Sequence, residues 1–149
     1  MTYEFSIEEK LFKTDTLFII GCGWAEFRKR VAQYGLTPPA IDNYVIGTVI
    51  EGDNVFWRIV WVKDFKPRSP TALVHELFHL TTAICQDRGV PIVVHHPSGN
   101  CGDETSAYLL EFYLKECLKE INKQNGKRRK KIEDKAKKEA GSSKKKDHN

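Results

Sequence analysis

Apolar and polar positions along this 149-residue chain sort into short strands, two amphipathic helices and a last helix that loses its apolar side. Two apolar stretches open it, at residues 3–7 and 17–20, the second a strand candidate ending at Gly21. Trp24, Phe27, Val31 and Tyr34 then recur at helical spacing, opposite Arg28, Lys29 and Arg30. Gly35 closes that helix, and Pro38-Pro39 prevents its continuation. Residues 44–50 and 55–62 are β-branched and aromatic, with Glu51-Gly52-Asp53-Asn54 between them, which predicts an antiparallel hairpin. Alternation places Trp57, Ile59 and Trp61 on one face and Phe56, Arg58, Val60 and Val62 on the other, so Arg58 needs a partner or solvent.

Ser69 as N-cap and Pro70 at the first helical position begin a second helix, which runs to about Arg88, where Gly89 and Pro91 stop it. A loop rich in His, Gly, Asn and Pro follows over residues 91–102. Asp103 can cap a last helix through about Ile121, with Ala107, Leu110, Leu114, Leu118 and Ile121 as its apolar stripe. From Asn122 the apolar positions vanish except Ile132, so residues 122–149 read as a disordered tail or a frayed, solvated helix.

Charge sharpens that division. The net +4 conceals 12 Lys/Arg against 4 Asp/Glu in residues 122–149, and 12 against 16 in the rest. The expected organisation is one domain over 1–121, mildly acidic, and a basic tail over 122–149. No apolar run approaches the roughly 20 residues of a membrane-spanning helix, and the N-terminus lacks a basic-then-apolar secretory pattern. A cytoplasmic protein without a membrane partner is the expectation. Cys22, Cys85, Cys101 and Cys117 form no Cys-x-x-Cys pair, so reduced, buried thiols are expected instead of disulfides or an all-cysteine metal site.

The second helix carries His75-Glu76-Leu77-Phe78-His79, a His-Glu-x-x-His pattern. Residues four apart lie about 40° apart around a helix and one turn along it, so both imidazoles can converge on one ion. Glu76 lies about 60° from His79, near enough to take a proton from a water on the ion without being a ligand. Leu73, Leu77, Leu80 and Ile84 form a stripe opposite the histidines, and Val74 and Phe78 widen the apolar surface until the helix is buried almost all round. Two core histidines hydrogen-bonded to backbone, with Glu76 in an ion pair, would satisfy the same residues without a metal.

A catalytic zinc site needs a third protein ligand and an open position. A His six residues after His79 is excluded, because Cys85 stands there. Glu104, in the first turn of the last helix, is the leading candidate. Glu111, about 10 Å further along that helix, and the loop residues His95 and His96 are the alternatives, with Cys101 behind them. Tyr108, one turn beyond Glu104, can steady the oxyanion of a tetrahedral intermediate, as can His95 or His96.

With these residues assembled, the chain resembles the gluzincin-like branch of the zincins, in which His-Glu-x-x-His on one helix joins a Glu on a later one. It looks most like the small metallopeptidase-like proteins of bacteriophage and prophage genomes, with a His-Glu-x-x-His helix and a Glu-x-x-Ala-Tyr helix. Those motifs read Val74 to His79 and Glu104 to Tyr108 here, and the resemblance covers residues 17–121. It implies zinc and peptidase machinery, a zincin-like fold with the motif helix in the core, and a sheet edge beside that helix, here residues 55–62, where an extended peptide can pair. It implies no particular substrate.

The expected fold is α+β, a small antiparallel or mixed sheet packed against helices. The leading function is a zinc-dependent peptide hydrolase acting on a peptide or protein, with zinc on His75, His79 and Glu104, water activated by Glu76, and Tyr108 in support. The alternative is a non-catalytic, zinc-stabilised interaction protein of a phage or mobile element. The basic tail adds weak, non-specific nucleic-acid contact.

Overall fold

The computed structural model describes residues 1–35, 50–52, 55–63, 65–90 and 104–143. Its elements run β1 (Tyr3–Glu9), β2 (Thr14–Ile20), α1 (Trp24–Gln33), β3 (Ile50–Gly52), β4 (Val55–Val62), α2 (Thr71–Asp87) and α3 (Glu104–Ser143). The strands form one mixed sheet in the order β1-β2-β4-β3. β1 and β2 pair antiparallel, β2 and β4 parallel, and β3 and β4 antiparallel. The class is therefore α+β with a small mixed sheet. Contacts divide the chain into two compact units, Met1–Cys117 and Leu118–Asn149.

The strand sequences are nearly continuous runs of β-branched and aromatic residues because β2 and β4 are covered on both faces. Leu17 and Ile19 lie in register with Ile59 and Trp61, and all four are buried in one cluster with Phe27 and Val31 of α1. Trp61 sits 5.0 Å from the Phe27 ring and 5.2 Å from Trp24, and its indole N–H donates to the Cys22 carbonyl at 2.9 Å. The alternate residues Phe18, Val60, Ile20 and Val62 are buried on the other face. There Tyr113 of α3 lies 6.0 Å from Phe18 and shares a 3.3 Å hydrogen bond with the Thr16 hydroxyl. α2 packs against β4, burying Leu73, Leu77, Leu80 and Ile84. Each such side chain contributes about 1.5–3 kcal/mol relative to exposure.

Arg58 shares the α2 face of the sheet, and its buried guanidinium finds Asp87 at the C-terminal end of α2 as an ion-pair partner. The next residue, Arg88, donates to the Phe12 carbonyl at 2.7 Å, in the β1–β2 turn. That turn is held by the buried Glu9 carboxylate, which accepts from the Leu11 and Phe12 amides at 2.7 Å each. These links fix one end of the motif helix to the sheet.

Several expectations require correction. β4 stands between β2, paired along its length, and β3, paired at Val55–Trp57, so over Val55–Trp57 it does not offer the sheet edge that an added peptide would use. The reason is the hairpin itself, which places its first strand outside the second. The outer arm at residues 44–49 lies outside the described residues. Pro70 occupies the N-cap of α2 one residue later than expected, and no side chain caps the helix. The Ser69 hydroxyl instead meets that of Thr71 at 3.3 Å. Gly89 closes α2 as expected, at φ +64°, with the Gly89 amide on the Gln86 carbonyl and the Val90 amide on that of Cys85. Gly35, at φ +70°, does the same for α1.

α3 does not end near Ile121 but continues to Ser143. Loss of an apolar stripe removes a reason to pack, not the capacity to be helical. Residues 122–143 contain no Pro and are rich in Lys, Arg, Glu and Ala, all strong helix formers. Of the two readings of the tail, the solvated helix is the one present.

Gly21 is the position where backbone geometry demands glycine. Its φ is +79°, and a Cβ there would stand 2.2 Å from the Met1 carbonyl oxygen. Its amide also donates to the Val62 carbonyl at 2.6 Å, which fixes the end of β2 beside β4. Gly21→Ala is expected to destabilise the domain by about 1–3 kcal/mol, measurable as a lower urea midpoint.

Candidate metal centre

α2 supplies the candidate centre. Its four-residue spacing sets His75 and His79 side by side, with their Nε2 atoms 3.0 Å apart and ring centroids 4.6 Å apart at 82°. At this separation one ring nitrogen donates and the other accepts, or both turn a lone pair toward one cation. Both imidazoles are exposed. This disposes of the reading in which they are core histidines held by backbone.

Glu76 is different. It is only 3% exposed, because its bearing on the helix lies between the histidines and the core stripe. Burial pushes its carboxyl pKa above the ordinary value, while positive charge on His75 and His79 pulls it down. A carboxyl so placed holds its proton more readily than a surface glutamate, the direction that suits a group meant to take one up.

Exposed residues give α2 a solvent face, so the expectation of a helix buried almost all round does not hold. Phe78, assigned on sequence to the apolar surface, is 58% exposed and stands edge-on to His79 at 6.2 Å between ring centroids. Its bearing, about 60° from His75, was available from helical geometry as readily as that of Glu76. Asp87, by contrast, carried no sequence signal as the partner of Arg58, since the two lie 29 residues apart.

α3 begins at Glu104, as the motif placed it, but the Glu104 side chain lies outside the described residues. His95, His96 and Cys101 lie outside them as well. Glu111 is exposed, and among the described residues no group of three His, Cys, Asp or Glu side chains is disposed to hold an ion. Tyr108 is 54% exposed and stacks on Phe112 at 6.5 Å. Cys22, Cys85 and Cys117 are free and buried, and burial raises each thiol pKa, which makes them poor ligands and poor nucleophiles. Among the described residues no helix is long and apolar enough to cross a membrane.

Compared with protein-family models, with curated proteins and with solved structures, the chain matches none.

Proposed function

We propose that this chain is a zinc-dependent peptide hydrolase of the zincin type, with His75, His79 and Glu104 as ligands and Glu76 as general base. The observation that carries this reading is the 3.0 Å approach of the two exposed Nε2 atoms, with a buried carboxyl on the adjoining residue. Two nitrogens on a tetrahedral zinc, each ~2.05 Å from it, stand roughly 3.3 Å apart, so the pair is already near the separation a shared ion requires. The donors fit the ion. Zinc held there supplies Lewis acidity, polarising a carbonyl and bringing the pKa of water to about 7.

The chain's own residues do the remainder. Glu76 accepts the proton of the attacking water and can return it to the leaving amine. Its burial keeps it oriented and out of competition with bulk water. Tyr108, one turn after Glu104, offers a donor to the oxyanion that forms at the carbonyl. Phe78, exposed beside His79, offers apolar surface to a substrate side chain.

The reading is tested first by metal. Purified protein is expected to hold one zinc per chain by atomic emission, and His79→Ala to lose it. Because His79 is exposed, the metal-free stability of that variant stays within about 0.5 kcal/mol of the parent. Free zinc at a thousand times its Kd raises the parent's stability by about 4 kcal/mol and leaves the variant's unchanged. Glu104→Ala is expected to weaken zinc similarly. Parental affinity in that variant would move the third ligand to another residue, with His95 and His96 next to be tested.

A further inference from the structure

The unit Leu118–Asn149 carries the strongest charge feature of the molecule. Within α3, Lys127, Lys130, Lys131, Asp134, Lys135 and Lys138 line one shallow groove along the helix. At 100° per residue they fall within an arc of roughly 140°, and from first to last they extend about 16 Å along the axis. All six are exposed. The remaining arc holds Arg128, Arg129 and Lys137 against Glu133 and Glu139, a net charge of +1 compared with +4 on the lysine side. The positive field is therefore concentrated on one side.

Such a stripe is unfavourable in isolation. Lys127 and Lys131, and Lys131 and Lys135, are like charges four residues apart, an arrangement that weakens a helix. Partial compensation comes from Asp134, four residues from both Lys130 and Lys138, and from Glu139, 3.8 Å from Lys135; the Lys123–Glu120 pair at 2.8 Å lies before the stripe. A polyanion relieves that repulsion along its whole length.

We infer that this face of α3 binds the phosphate backbone of double-stranded nucleic acid, without reading its sequence. A helix about 10–12 Å across fits a major groove about 12 Å wide, with its lysines reaching the phosphates on either side. Single strands are held mainly by aromatic stacking, and no Phe, Tyr or Trp follows Tyr113. An anionic membrane is the poorer match, because a surface-lying helix needs a broad apolar face, and here Ile132 and Ala136 stand among charges.

Fluorescence anisotropy of the full chain with 20-base-pair DNA duplexes of unrelated sequence tests the inference. Five phosphate contacts predict a slope of about −4.5 for log K against log salt, or roughly a 500-fold loss from 50 to 200 mM. All duplexes bind alike, and a single strand of the same length binds more weakly. Replacing Lys127, Lys130, Lys131, Lys135 and Lys138 by Gln, a comparable helix former, abolishes binding with helix content unchanged by circular dichroism. Asp134→Asn removes the acid from the stripe and tightens binding roughly 2-fold. Three results would overturn the inference: no duplex binding at 50 mM salt, undiminished binding by the Gln variant, or preference for vesicles containing phosphatidylserine over duplex.

Discussion

Glu76→Gln is expected to lower peptide hydrolysis about 10²–10⁴-fold, to leave zinc content unchanged, and to make the metal-free protein more stable at neutral pH. The first effect is the loss of a general base. The second follows because the proposed ligands are His75, His79 and Glu104. The third follows from burial. A carboxyl at 3% exposure whose pKa is raised by desolvation is costly to the fold whenever it is ionised. The sign is fixed by linkage. With the folded pKa above the unfolded one, the native state holds the proton more tightly, so the contribution of this group is fully present below the unfolded pKa. It is lost as pH rises through the folded value. The stability difference between Gln and Glu should accordingly widen from acid to neutral pH, reaching about 0.5–2 kcal/mol. Calorimetry of both metal-free proteins between pH 4 and 8 measures it. A Gln variant less stable than the parent at pH 7.5 would mean that Glu76 makes a compensating contact.

Trp61→Ala should have the largest effect on folding, about 3–5 kcal/mol, by opening a cavity between β4 and α1. The side chain is 1% exposed, lies against Phe27 and Trp24, and donates to the Cys22 carbonyl. Trp61→Phe keeps much of the ring contact and leaves that carbonyl without its donor, so its cost is expected nearer 1–3 kcal/mol. Urea titration distinguishes the two. Neither substitution should alter zinc affinity at low temperature, because Trp61 and the histidines lie on opposite sides of the sheet. A matching loss of zinc affinity would show that the sheet transmits strain between its faces.

Much of the local structure was legible because it depends on short-range rules. The β4 span, both glycine helix stops, the core stripe of α2 and the convergence of His75 and His79 each follow from backbone sterics or a fixed angular period. The same period held the exposure of Phe78, which hydrophobicity alone misassigned. α3 outruns its apolar stripe for a related reason: the stripe reports packing, whereas helix formation in residues 122–143 rests on propensity.

The sequence by itself determined that two imidazoles and a carboxylate share one helix at metal-binding spacing, because 3.6 residues per turn leaves no other arrangement. It determined equally that a basic segment adjoins the domain. Only the tertiary structure decided that Glu76 is buried while its neighbouring histidines are open, that Asp87 answers Arg58, and that β4 stands between β2 and β3. Those outcomes depend on which distant surfaces meet, and burial, which sets both the charge cost at Glu76 and the pairing of Arg58, exists only once they have met.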